Sequence, residues 1–307
     1  MSGLRVALGE YLATRRALGF KLVRAGKLLP GFVDYLEQSG SAVVTRRLAV
    51  AWATQPRDVH PAWWTGRLVL VRGFAKYLQA SDPRHEVPPL ELLPHHRRRA
   101  VPYIYTPAEI AALLTATATL RMPLMAATYG TLLGLLAVTG LRTGEAIALD
   151  DGDVDLRRGV LVVRRTKFGK TREVPLHPTT TRALMRYVHE RDRLAPRRRI
   201  RSFFVSTAGT RLFYNNVHAV FLGLVYAAGI AERRPHRPRI HDLRHTFAVR
   251  TVLGWYRAGV DVEAKLPTLS TYLGHIGPSS TYWYLTAVPE LLEAATIRLE
   301  RAWGARS

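Results

Sequence analysis

The chain has 307 residues, 48% of them apolar and 22% charged, which is enough for two folded domains and unlike a disordered polymer. Lysine and arginine number 45 against 23 acidic residues, and the formal net charge of +22 is one that a compact protein carries most easily against a polyanion such as nucleic acid. Cysteine is absent, which excludes disulfides, a thiol nucleophile and thiolate-bound zinc, and suits a reducing cytosol.

From the N-terminus, Met1 to Tyr11 lacks an apolar run of signal-peptide length. Leu4, Leu8, Tyr11 and Leu12 recur at helical spacing until Leu18-Gly19 ends the pattern. A second stripe, Leu28, Leu29, Phe32, Val33 and Leu36, closes at Ser39-Gly40. Thr45 is placed to cap a short third helix bearing Leu48, Ala51 and Trp52, and a fourth runs from about Pro61 to Leu78. These four helices predict an all-helical domain over residues 1–82. Residues 83–106 hold Pro83, Pro88, Pro89, Pro94 and Pro102 around the basic run His95-His96-Arg97-Arg98-Arg99, and read as a linker strapped along phosphates.

A second domain is predicted over residues 107–307, opening at Thr106-Pro107-Ala108-Glu109. Leu124 to Leu141 runs 18 residues without a charge. Its interspersed threonines and glycines, and the Arg142 that follows, mark a buried core helix and not a membrane span. Alternating apolar residues at Val154 and Leu156, Gly159 to Val163 and Glu173 to Leu176 predict three short strands; Lys167 lies on the tip between the last two. The remainder is mostly helical, ending in an apolar stripe, Leu291, Leu292, Ala295 and Leu299, that suits packing on a neighbouring protomer or on its own domain.

Four segments offer phosphate chemistry. In Gly140-Leu141-Arg142-Thr143-Gly144-Glu145 the glycines let the backbone turn closely about Arg142, and Glu145 faces the same side of a helical turn. Alone, that pair reads as a surface ion pair. The hairpin lysine can reach into a groove and protonate an alkoxide leaving group. In His241-Asp242-Leu243-Arg244-His245, His241 and Arg244 are three apart: one can move a proton near neutral pH, the other forks two phosphate oxygens. In the fourth segment Leu273-Gly274-His275 precedes Tyr284 by nine residues. A tyrosine with an ordinary pKa of about 10 needs cationic help to act as a nucleophile.

Taken together and in this order, TGLRTGE, TKFGKTREVPL, HDLRHTFA and LGH with a tyrosine nine residues on resemble the tyrosine recombinases, the phage integrase family, over roughly residues 107 to 300. The resemblance implies a mainly α fold with a small antiparallel sheet: an N-terminal helical core-binding domain followed by a catalytic domain. By it, Arg142 and Arg244 clamp the scissile phosphate, and Lys167, with Lys170 as the alternative, protonates the leaving 5′ oxygen. His241 accepts the tyrosine proton, His275 bonds a phosphate oxygen, Tyr284 is the nucleophile and Glu145 buttresses the site. Tyr282 is a second hydroxyl nearby, but the spacing from His275 favours Tyr284.

The implied activity is cleavage and rejoining of DNA at specific sites through a 3′-phosphotyrosyl intermediate, as the integrase or transposase of a mobile element. Xer-type chromosome or plasmid resolution, a DNA-relaxing relative of type IB topoisomerases and an inactive DNA-binding regulator are the competing readings. No metal or cofactor is expected. The partner is double-stranded DNA, contacted by Arg97, Arg98, Arg99, Lys170 and Arg172 among others. The protein is expected to be a monomer in isolation and a homotetramer when synapsed on two sites, without a membrane, in the cytoplasm at the nucleoid.

Overall fold

The computed structural model describes residues 3–93, 101–164, 171–198, 200–230 and 237–274. The chain divides into two compact units, residues 1–99 and 100–307.

The first unit contains α1 (Gly3–Ala17), α2 (Val23–Gln38), α3 (Arg46–Thr54) and α4 (Pro61–Gln79). The apolar stripes meet in one core in which Leu29, Phe32, Val33, Leu36, Val71 and Phe74 are wholly buried. Each such side chain stabilises the fold by roughly 1.5–3 kcal/mol relative to exposure. Thr45 caps α3, its hydroxyl accepting from the Leu48 N–H at 3.2 Å. Arg67 lies 3.6 Å above the Trp52 ring and donates to the Trp52 carbonyl, so this arginine is part of the core packing.

The second unit contains α5 (Pro107–Ala116), α6 (Pro123–Thr139), α7 (Thr143–Ala148), β1 (Val154–Asp155), β2 (Val160–Val163), β3 (Arg172–Pro175), α8 (Pro178–Leu194), α9 (Tyr214–Ala227), α10 (Asp242–Arg257) and α11 (Val262–Leu273). The charge-free stretch is α6, packed between α8 and α10, with Leu132, Leu133, Leu135 and Leu136 all buried. No helix among the described residues is long and apolar enough to cross a membrane. The three strands pair antiparallel in the order β1-β2-β3, with Leu161 opposite Val174 and Val163 opposite Arg172. Alternation sends Leu161, Val163 and Val174 into the core. Arg172 shares the Val174 face, two residues away, and so also points inward.

The proline-rich stretch read as a linker is built into the units at both ends. Leu93 and Val87 pack on the core of the first unit. In the second, Tyr103 and Tyr105 are buried; the Tyr105 N–H donates to the Thr246 hydroxyl and Arg250 donates to the Tyr105 carbonyl, tying this segment to α10. Some arginines are held within the fold itself: buried Arg191 by Asp151, Asp192 and the Phe203 carbonyl, and Arg198 by the same two carboxylates.

Candidate active site

The site is built on the end of α11. An α-helix leaves its last carbonyls without intrahelical partners, and that end carries partial negative charge. Here three successive carbonyls each take an arginine from a different segment. Tyr272 O accepts from Arg172 Nε at 2.8 Å, Leu273 O from Arg244 Nη2 at 2.7 Å, and Gly274 O from Arg142 Nη2 at 3.1 Å. Neighbouring peptides are about 3.8 Å apart. The helix end therefore gathers three cations that would otherwise repel one another.

Two glycines make the approach possible. Gly140 ends α6 at φ +60, and a Cβ there would lie 2.5 Å from Phe247 Cδ1 and 3.1 Å from Leu273 Cδ2. Its carbonyl accepts from Arg244 Nη1 at 2.7 Å, so Arg244 bridges the ends of α6 and α11. Gly274 ends α11 at φ +68, and a Cβ there would lie 2.8 Å from Arg172 Nη1. Both positions combine a left-handed backbone with no room for a side chain, which only glycine satisfies without strain.

Arg142 stands at the N-cap of α7, one-third exposed. Its backbone N–H and Nη1 donate to the two Glu145 oxygens at 3.1 and 2.7 Å. Arg244, in the first turn of α10, is only 2% exposed. His241 stands at the N-cap position of α10, with its ring edge-on to His245 at 4.8 Å between centroids. Although His241 keeps an exposed edge, partial loss of hydration among its neighbours pushes its pKa down, and Arg244, Arg142 and Arg239 add to the fall while Asp242 opposes it. Asp242 is fully buried and held by Arg239. The structure thus brings Arg142, Glu145, His241 and Arg244 into one cluster.

Arg172 differs from expectation. Read as a DNA contact, it is instead 11% exposed, with Nη1 and Nη2 on the Glu145 oxygens at 3.2 and 2.7 Å as well as Nε on Tyr272 O. The inward strand face and the buried carboxylate account for this. Burial alone would raise the Glu145 pKa, yet Arg172 and Arg142 together hold it below the usual carboxylate range. His245 and the carbonyls of residues 140 and 272–274 were not singled out from the sequence. His245 was within reach, one helical turn from His241, but backbone acceptors leave no side-chain signal. Lys167, Lys170, His275, Tyr284, the Arg97–Arg99 run and the C-terminal apolar stripe lie outside the described residues.

Residues 104–290 match the phage integrase family. The chain is 43% identical over 316 residues to the putative integrase/recombinase y4rB of Sinorhizobium fredii, spanning the whole of both proteins. It is 29% identical over 216 residues to the tyrosine recombinase XerD of Oceanobacillus iheyensis, covering 70% of this chain and 67% of that one. Among solved structures, the Tn1549 transposon integrase in complex with transposon right end DNA superposes with a TM-score of 0.66 at 19% identity, over 96% of this chain and 98% of the other.

Proposed function

This chain belongs to the phage integrase family and is a site-specific recombinase, and we propose that it recombines the DNA of a mobile element by way of a 3′-phosphotyrosyl intermediate. The observation that carries this reading is the convergence of Arg142 and Arg244 on adjacent carbonyls, Gly274 and Leu273, one and two residues before His275.

The Tyr284 oxygen attacks the scissile phosphorus, forming a P–O bond to tyrosine as the bond to the 5′ oxygen breaks. His241 takes the phenolic proton and Lys167 gives one to the departing 5′ oxygen. Negative charge that builds on the non-bridging oxygens is met by Arg142, Arg244 and His275, and the two arginines, already held by Glu145 and the helix-end carbonyls, need no reorientation as the charge develops. Reversing the steps with another 5′ hydroxyl rejoins the strands. The phosphotyrosyl link preserves the energy of the broken bond, so no nucleotide is consumed. Basic segments, including Arg97 to Arg99, run along the phosphates of double-stranded DNA, and protomers assemble as a tetramer across two sites.

The test is a nicked duplex carrying the recombination site, sought as inverted or direct repeats in the DNA flanking the gene. A protease-sensitive covalent adduct at the 3′ phosphate supports the reading, and two such sites should yield exchanged products. Relaxation without exchange would overturn recombination. A second expectation concerns pH. Because the folded His241 pKa lies below that of the unfolded chain, about 6.5, the imidazole is neutral at pH 7 and able to accept a proton. For cleavage, kcat/KM of wild type should hold at neutral pH and fall only on acidification below about 6.5. The same sign makes His241 remove stability as pH drops through this window, since the unfolded chain binds its proton first. A pH–rate profile for wild type and His241→Gln checks this: an acid limb unchanged by the substitution would discard His241 as the base.

A further inference from the structure

We propose that Arg172 is a positioning residue that keeps the Arg142 charge available to the scissile phosphate by sharing Glu145 with it, a role that rests on the phosphoryl-transfer reading above. Arg142, Glu145, Arg172 and the end of α11 form a closed circuit. Glu145 Oε1 accepts from Arg142 Nη1 at 2.7 Å and from Arg172 Nη1 at 3.2 Å. Glu145 Oε2 accepts from the Arg142 backbone N–H at 3.1 Å and from Arg172 Nη2 at 2.7 Å. Arg172 Nε then closes on Tyr272 O and Arg142 Nη2 on Gly274 O.

Charge explains why a second arginine belongs here. Glu145 is 10% exposed, so water does little to weaken its pull on Arg142. A lone Arg142–Glu145 pair is neutral and would meet a phosphate as a dipole. With Arg172 bound to the same carboxylate, the three groups carry one net positive charge, and Arg142 is the exposed member, at 33% against 11% for Arg172. Arg172 thus absorbs part of the carboxylate's field from behind, while the exposed cation faces outward. Its position in the chain adds a second consequence. It is the first residue of β3, directly after the hairpin tip, so its contacts with Glu145 and Tyr272 O tie the root of that hairpin to α7 and to the end of α11.

The experiment compares single-turnover cleavage of a nicked duplex whose scissile group is either the natural phosphodiester or a methylphosphonate, in which a neutral methyl replaces one charged oxygen. Arg172→Gln is expected to slow phosphodiester cleavage roughly 10- to 100-fold, the usual scale for partners that orient a site from behind. On the methylphosphonate its rate should come within about threefold of wild type, because less positive charge is needed there. Arg142→Gln serves as the comparison for a cation facing the phosphate. Arg172→Lys, which keeps the cation, should fall between wild type and the glutamine variant. In a Glu145→Gln background, adding Arg172→Gln should cost little, since the carboxylate it offsets is gone. Equal defects on both substrates, a lysine variant as slow as glutamine, or additive losses in the double variant would each overturn the proposal, and thermal melts identify any variant that has lost its fold. Should Arg172→Gln not fold, the lysine variant read on the two substrates decides: a defect confined to the phosphodiester supports the role, and an equal one rejects it. Absence of adduct from wild type on the phosphodiester would instead sink the functional reading itself.

Discussion

A Tyr284→Phe protein is expected to form no covalent adduct with a nicked duplex while binding it as tightly as wild type. The substitution removes one oxygen and leaves the ring, so only a role that needs that oxygen is lost. The tyrosines in the core of the second unit are poor substitutes. Burial raises the Tyr105 phenol far above its ordinary range, and its hydroxyl donates to the Arg239 carbonyl. The Tyr187 phenol is also raised by burial, and it is engaged with Thr128 and the Val205 N–H. Tyr272 is nearest in sequence to the arginine-bearing carbonyls, but its ring stacks on Phe247, and burial pushes its phenol up to about 12 despite Arg172. None of the three ionises readily near neutral pH. The nucleophile that the family resemblance implies lies after α11, at Tyr284, with Tyr282 as the alternative. Adduct assays on both phenylalanine variants decide between them: an adduct that survives in Tyr284→Phe and vanishes in Tyr282→Phe moves the role two residues.

The helical stripes were readable because each follows from local spacing. Leu29, Phe32, Val33 and Leu36 repeat at the helical period and are buried together. The Arg142–Glu145 and His241–Arg244 pairs were readable for the same reason, each being a three-residue interval within one turn. What could not be read is what joins the segments. The fate of Arg172 depends on Glu145, 27 residues earlier, and on a carbonyl 100 residues later. Strand alternation already places it with Val174 on the inward face, but an arginine in a chain of charge +22 is first assigned to solvent and phosphate. Only a buried carboxylate at that spot makes the inward placement tolerable. The anchoring carbonyls are invisible in principle, since every residue has one. Gly140 was legible as a turn, but not as the contact surface for Phe247 and Leu273 that forbids a side chain.

Arg244→Lys is expected to lower the single-turnover cleavage rate on the order of 10²–10³-fold, the cost of removing one preorganised donor to a developing oxyanion. Duplex affinity should change far less, because one buried group contributes little to the charge that holds DNA. The side chain spans two helix ends, Nη1 on Gly140 O and Nη2 on Leu273 O, both at 2.7 Å. That span needs a planar fork with donors fixed in different directions. An ammonium is a compact point charge on a flexible stem, and it cannot reproduce both bonds while keeping its charge in place. If one carbonyl were left unsatisfied at this depth, the fold would lose about 1–3 kcal/mol, so the variant should also melt earlier than wild type. Arg142→Lys provides the contrast. It too forks two partners, Glu145 and the Gly274 carbonyl, but at one-third exposure water can replace a lost bond, so its melt should stay closer to wild type even though cleavage suffers. Parallel melts, duplex-binding titrations and single-turnover rates separate these effects. If Arg244→Lys kept more than about a tenth of the wild-type rate, its guanidinium would not be one of the groups that face the phosphorus. The role of Arg244 would then be confined to fastening α10 across the ends of α6 and α11.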